Sequence, residues 1–187
     1  MKRLTNDYNQ IYERKNVYMT DNDFAEKLTN MIETVYRVSY SQLPQACDRD
    51  DAVQETLLKA WKNRHRMKNE RYMQTWVIRI LINECHNIHR RKKHESLEEF
   101  QIERVAPVDE YADLHDTLFR LDDKYRITIV LHYVEGFDTR EISKILSLPQ
   151  GTVLWRLSKA RKELKKMLGE EIGNKNIKIS KEVKHNV

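Results

Sequence analysis

The sequence predicts an all-α protein made of two small helical domains that a flexible linker joins. Only 4 glycines and 3 prolines occur in 187 residues, which is too few turn residues for a fold built from many short strands. Apolar residues recur at helical spacing in two separate blocks, 23–94 and 114–169. Each block has its own apolar pattern, so each is expected to bury a core of its own.

The three remaining segments are expected to have little regular structure. Residues 1–22 mix charges with scattered tyrosines and are expected to form a loosely ordered arm or a short leading helix. Residues 95–113 are polar and contain Pro107, which is typical of a flexible linker, with a short helical piece near 97–102. Residues 170–187 carry only isolated Ile and Val among Lys and Asn, so this tail is expected to fray into solvent.

Three helices are predicted in the first block, where apolar residues recur three or four positions apart. The first begins near Phe24 and ends before Pro44, the second covers about 50–61, and the third covers about 74–91. The segment 67–72 is polar, has no apolar period and is expected to be an exposed loop. The buried seam of the third helix is predicted to consist of Val77, Leu81, Cys85 and Ile88.

The composition favours a cytoplasmic protein with a polyanionic partner. Charged residues make up 34% of the chain and the formal net charge is +5, a balance that suits nucleic acid, although an ordinary Lys/Glu surface explains it equally well. The two cysteines, Cys47 and Cys85, lie far apart, and no signal peptide or apolar run of about 18 residues is present. Free thiols and no membrane insertion are therefore expected.

The second block has the pattern of a helix-turn-helix. Apolar residues at i, i+3, i+4 and i+7 predict a supporting helix over 125–134, which Gly136 ends. The next helix begins at Asp138 or Thr139, since either side chain can cap the amides of its first turn, and it breaks at 147–149. That break is short enough to hold two helices at a fixed crossing angle.

The last helix of this block starts near residue 150 and has one apolar face. This face carries Val153, Leu157, Ala160 and Leu164. The other faces are rich in Lys and Arg, and a helix of this kind can lie in the major groove, where early residues reach base edges and cations contact phosphate. A cationic surface helix without a ligand has the same pattern, so periodicity alone leaves both interpretations open.

The segment 121–168 resembles region 4 of bacterial sigma factors. The resemblance depends most on Gly151-Thr152-Val153, Arg156-Leu157 and Ala160-Arg161. It implies that the helix-turn-helix binds the upstream promoter element as duplex DNA. The residues that it implies for this contact are Thr152, Trp155, Arg156, Lys159 and Arg161. Leu154 and Trp155 stand where the family carries a basic or small polar pair.

The segment 51–61 resembles sigma region 2.2, the helix with which the family grips a coiled coil on the largest polymerase subunit. The resemblance implies four polymerase-binding residues, Asp51, Gln54, Glu55 and Lys59. Without the resemblance, these residues would be the solvated face of an amphipathic helix.

The segment 75–83 resembles sigma regions 2.3 and 2.4, which open the duplex and read the downstream promoter element. At about 100° per residue, five side chains share one face away from the Val77 seam. They are Trp76, Arg79, Asn83, His86 and Arg90. An aromatic ring on which a base can stack and cations along the backbone suit single-stranded DNA. In the family the preceding loop holds a flipped base, which implies a contact by Asn69, Glu70, Arg71 and Tyr72.

Together these segments resemble a sigma factor of the extracytoplasmic-function (ECF) type in the sigma-70 family. The resemblance implies a region 2 helical bundle and a region 4 helix-turn-helix that bind core RNA polymerase and promoter DNA. It also implies transcription initiation at a specific regulon, responsive to stress or to the envelope, and an anti-sigma factor as a further partner. Neither catalysis nor a cofactor is expected.

Two rival functions remain open at this point. A one-component transcription regulator would share the helix-turn-helix but would not need a polymerase-binding helix at 51–61. An RNA-acting enzyme with basic arms would turn over a nucleic-acid substrate. The chain has no Gly-rich phosphate loop, no Gly-x-Ser-x-Gly and no His-Glu-x-x-His, so the enzyme hypothesis has no motif in its favour.

A metal site is one interpretation of Cys85, His86 and His89. Cys85 belongs to the apolar seam, and no second ligand pair follows with zinc-finger spacing. We therefore expect no bound metal.

Overall fold

The computed structural model describes residues 19–67, 69–95 and 117–185, with side-chain surroundings for 19–67, 69–93 and 117–169. The regular elements within these ranges are helices, which confirms the predicted all-α class. The α-helices are α1 (Asp21–Asn30), α2 (Ile32–Gln42), α3 (Ala46–Lys62), α4 (Met73–Glu95), α5 (Asp123–Ile129), α6 (Thr139–Leu146) and α7 (Gln150–His185). The predicted linker lies largely outside the described residues, as does its short helical piece.

The first predicted helix is in fact two helices, and it starts earlier than expected. Thr20 Oγ1 accepts a hydrogen bond from the Asp23 amide at 3.1 Å, while the Asp23 carboxylate accepts one from the Thr20 amide at 3.2 Å. This capping box begins α1 at Asp21, so the last two residues of the segment 1–22 are helical. The helix then breaks at Met31, and apolar spacing did not reveal the break because Leu28 and Val35 are buried on either side of it.

Helices α3 and α4 pack against each other and carry most of the buried apolar residues of the first block. The predicted seam of α4 is confirmed, since its four residues are each less than 5% exposed. Helix α3 begins four residues before the predicted start, and α4 continues into the predicted linker as far as Glu95. The end of α4 is anchored on α3, because Lys92 Nζ lies 2.5 Å from Asp48 Oδ2.

Cys85 offers a direct test of this packing. Its side chain is fully buried, and desolvation raises the pKa of the thiol to about 12. The reactive thiolate is therefore nearly absent at neutral pH, whereas Cys47 is exposed. We expect iodoacetamide to add to Cys47 alone in native buffer and to both cysteines in urea, as counted by intact mass. A second adduct without denaturant would contradict the burial of Cys85.

The predicted helix-turn-helix is confirmed, with one irregularity in its supporting helix. Helix α5 continues as a single π-helical turn, Val130–Val134, before Gly136 adopts a φ of +75°. Asp138 Oδ1 then accepts hydrogen bonds from the amides of Arg140 and Glu141, both at 2.7 Å, and caps α6. Ser147 ends α6 in the left-handed region, with φ of 55°.

The prediction of a frayed tail after Gly169 is wrong for the backbone, because α7 continues to His185. The sequence contains no proline after Pro149 that would interrupt this helix. The lack of an apolar period in this segment predicts that it has no buried face. It does not predict whether the backbone is helical.

The two blocks pack against each other in the described structure. Their buried apolar residues form one continuous cluster, with α2 against α5 and α4 against α6. Among the helices of the described ranges, none is both long enough and apolar enough to cross a bilayer.

Candidate polymerase and nucleic-acid interfaces

The predicted polymerase-binding residues lie along one edge of α3. Asp51, Gln54 and Glu55 are exposed there. Lys59 shares this edge, but its Nζ lies 2.6 Å from Glu84 Oε2 on α4 and 3.8 Å from Glu55 Oε2. Lys59 therefore forms an ion pair that links α3 to α4. The exposed carboxylates of Asp51 and Glu55 make the edge acidic.

A groove of about 410 Å³ runs between α3 and α4 beside this edge. Charged side chains of both signs line it, including Asp51, Glu55, Arg90 and Arg91. A partner helix with complementary charges would find hydrogen-bonding groups on both walls. The groove therefore lies between the predicted polymerase-binding edge of α3 and the carboxy-terminal part of α4.

The predicted single-strand face of α4 is a continuous stripe. Arg79, Asn83, His86 and Arg90 are exposed, while Trp76 is partly buried against the apolar core. Loss of hydration lowers the pKa of His86, and repulsion from His89 lowers it further. The lowered pKa favours the uncharged His86 ring, which offers hydrogen bonds rather than positive charge.

The predicted loop before α4 contains a 3-10 turn, Glu70–Tyr72, and stays exposed. Asn69 Oδ1 holds this turn by accepting a hydrogen bond from the Arg71 amide at 2.9 Å. Glu70 forms an ion pair with Lys27 of α1. The loop is thus fastened at two points and presents the Tyr72 ring, which is 46% exposed.

Tyr72 and the start of α4 form an open pocket of about 280 Å³. Its walls are Tyr72, Thr75, Trp76 and Arg79, and the fifth lining residue is Lys144 of α6. Lys144 Nζ lies 4.7 Å from the centre of the Tyr72 ring, a cation–π contact. Sequence reasoning missed Lys144, because it belongs to the other block and nothing local links it to this pocket.

The predicted duplex-binding residues sit at the start of α7. Val153, Leu157 and Ala160 are buried beneath them. Thr152, Trp155, Arg156 and Lys159 fall within about 100° of one another round the helix. Arg161 lies about 200° from Lys159 by the same projection, so the structure does not bring it to this face.

Trp155 is held in place although it is 57% exposed. Its ring centre lies 6.0 Å from that of Tyr125 on α5, with the planes tilted by 58°. This aromatic contact gives the wide side chain a fixed orientation on the surface. Sequence reasoning did not find the supporting role of Tyr125.

The candidate metal residues do not form a site. In the part of the chain that the structure describes, no three His, Cys, Asp or Glu side chains are grouped so as to hold a metal ion. His89 instead places its Nε2 3.1 Å from the carbonyl oxygen of Gln42.

This architecture defines a helical DNA-binding protein with a helix-turn-helix and a second, bundle-like domain. The model of sigma-70 region 2 matches residues 30–95, and that of sigma-70 region 4 matches residues 111–164. The two matches together span more than half of the chain. The protein belongs to the sigma-70 family, among its ECF sigma factors.

Two relatives agree with this assignment, and two solved structures share the fold. The chain is 28% identical over 175 residues to the ECF RNA polymerase sigma factor SigW of Bacillus subtilis, covering 82% of this chain and 94% of SigW. It is 28% identical to SigV of the same organism, covering 77% and 90%. The fold matches sigma factor RpoE bound to the anti-sigma factor NepR, from Bartonella quintana, with a TM-score of 0.73, 23% identity and coverage of 79% and 97%. CnrH in complex with the cytosolic domain of CnrY matches with a TM-score of 0.64, 24% identity and coverage of 81% and 90%.

Proposed function

We propose that this protein binds core RNA polymerase in the cytoplasm and directs it to the promoters of one regulon, responsive to stress or to the envelope. The observation that carries the proposal is the order of the two matches. Region 2 falls on α2 to α4, and region 4 falls on the helix-turn-helix. The protein is then a transcription initiation factor and not an enzyme.

The amino-terminal domain, residues 23–94, has two tasks in this proposal. The acidic edge of α3 docks on polymerase, and the stripe on α4 holds the melted strand of the downstream element. A base stacked on Trp76 or Tyr72 would gain about 1–3 kcal/mol. This gain offsets the few kcal/mol that are lost when a base leaves the duplex.

The carboxy-terminal domain, residues 114–169, binds the upstream element as duplex DNA. The exposed face of α7 would enter the major groove, with Arg156 and Lys159 as its cations. The linker, residues 95–113, lets both domains bind the same promoter, and the first contact then raises the effective concentration of the second.

An anti-sigma protein is the third proposed partner. The solved structures of RpoE and CnrH are both complexes, with NepR and with the cytosolic domain of CnrY. A protein of that class would keep this sigma factor from polymerase until a signal releases it.

The test is transcription by core polymerase on a genomic promoter library, with and without the purified protein. We expect start sites at a limited set of promoters that share two short elements, and only when the protein is present. Duplex binding without any association with core polymerase would instead indicate a one-component regulator.

A further inference from the structure

Helix α1 is joined to the segment between α3 and α4 by an aromatic contact and two ion pairs. The match to region 2 begins at residue 30, so it includes only the last residue of α1. The Phe24 ring of α1 is 2% exposed, and its centre lies 6.1 Å from that of the Trp61 ring near the end of α3. Helix α1 therefore packs where the chain leaves α3 for the loop that precedes α4.

The first ion pair joins the start of α1 to the 3-10 turn that follows α3. Arg64 donates from Nε to Asp21 Oδ1 at 2.7 Å and from Nη2 to Asp21 Oδ2 at 2.9 Å. The Arg64 guanidinium also lies 4.3 Å from the centre of the Trp61 ring, and its Nη1 donates to the Trp61 carbonyl oxygen at 3.1 Å. The Arg64 side chain is only 19% exposed. Such a two-pronged and stacked pair fixes its partners more firmly than an ordinary surface ion pair does.

The second ion pair joins a later turn of α1 to the 3-10 turn Glu70–Tyr72. The Lys27 ammonium contacts the Glu70 carboxylate, and this hydrogen bond raises the pKa of Lys27, which keeps the ammonium charged. Lys27 lies about 9 Å beyond Asp21 along the helix axis. A free Glu70 carboxylate would repel the phosphates of a bound strand. Lys27 therefore both holds this turn and neutralises its acid.

The two pairs lie on either side of the residues that the loop presents to solvent. Within the loop, the Tyr72 amide donates to the Asn69 carbonyl oxygen at 3.1 Å, and the Arg71 amide donates to Asn69 Oδ1 at 2.9 Å. A loop that is fixed before binding loses less conformational freedom when a ligand binds. A fixed orientation also lets a site distinguish one base from another, because the wrong base then meets misplaced groups.

We propose that α1 positions the loop 69–72 for base reading, with Asp21 and Lys27 as positioning residues that act through Arg64 and Glu70. When either pair is broken, the loop adopts additional arrangements, and the protein distinguishes less well between single strands of different sequence. The inference rests on the proposed function, because it assumes that this loop receives a base of the melted strand.

A charge-swap series tests the first pair. Asp21→Arg and Arg64→Asp each break it, while the double variant restores it with reversed polarity and an unchanged net charge. Lys27→Met tests the second pair, because it keeps a long side chain and removes the ammonium. Glu33→Arg is the matched control, since it makes the same charge change as Asp21→Arg on a side chain of α2 that is 90% exposed.

Two readouts are needed, and the first does not depend on DNA. It is amide hydrogen exchange in the turn Glu70–Tyr72 of the free protein, followed by mass spectrometry. The second is selectivity, the ratio of the affinities for matched and mismatched single strands. The matched strand is the downstream element of a promoter recovered from the library, and the mismatched strands each carry one replaced base.

Both single variants of the first pair are expected to speed exchange in the turn about three- to tenfold and to lower selectivity about threefold or more. One variant adds positive charge and the other removes it, so general attraction to DNA would move their affinities in opposite directions. The double variant should return both readouts to wild-type values. Lys27→Met should also speed exchange in the turn, and Glu33→Arg should change neither readout.

Three results would overturn the positioning role of α1. They are single variants with unchanged exchange in the turn, single variants with faster exchange but undiminished selectivity, and a double variant that behaves like the singles. The double variant keeps an arginine at the start of α1, so its recovery also separates the pair from any effect on the helix itself. Transcription from the promoter library reports separately on the proposed function. Faster exchange in variants of a protein that directs no initiation would overturn that function and leave α1 as the support of the turn.

Discussion

Replacing Asp51 and Gln54 with alanine is expected to lower the affinity for core RNA polymerase about tenfold or more and to leave binding of duplex promoter DNA unchanged. Both side chains are exposed on the outer edge of α3. Hydrogen bonds to a charged group contribute about 1.5–3 kcal/mol each. Stability should change by no more than about 0.5 kcal/mol, because neither residue is part of the core.

The measurement is binding of the variant to immobilised core polymerase, beside a gel shift on duplex promoter DNA. The matched control is Glu26→Ala with Asn30→Ala, which removes one acid and one amide at similar spacing from the exposed surface of α1. Undiminished binding of the α3 variant to polymerase would contradict the assignment of this edge of α3 as the polymerase-binding surface.

Arg156→Ala is expected to weaken duplex promoter binding about tenfold to a hundredfold, at unchanged affinity for polymerase. A lost arginine contact to a base or to phosphate costs about 1–3 kcal/mol. Arg156 and Thr152 are partly buried and lie beside the exposed Lys159 on one side of α7, whereas the polymerase-binding edge lies on α3. One substitution should therefore separate the two activities.

The duplex probe is a promoter recovered from the library, and the titration is repeated at several salt concentrations. If Arg156 contacts phosphate, the salt slope should fall by about one and all sequences should weaken alike, whereas a base contact should relax specificity at one position. Lys165→Ala is the control, because it removes one charge from the same helix about 180° away. Equal losses of DNA and polymerase binding would contradict the division of roles.

Local features of the sequence were reliable where one element decides them. The seam of α4 followed from apolar spacing, and the turn at Gly136 and a cap at Asp138 or Thr139 followed from turn chemistry, of which the structure selects Asp138. Errors arose where local signals compete. The apolar spacing runs through Met31 although the helix breaks there. The tail was expected to fray because its Ile and Val residues are isolated, whereas the backbone of α7 continues through it.

The sequence by itself determined the helical class, the helix-turn-helix, the resemblance to sigma regions and most of the candidate contact residues. Each of these depends on residues a few positions apart, whose spacing the helix geometry converts directly into a shared face. Only the tertiary structure decided that Lys144 lines the pocket at Tyr72 and that Arg37 contacts Glu135, which lies 98 positions further along the chain. Such pairs have no local pattern, because their proximity is set by how two separate helical blocks pack.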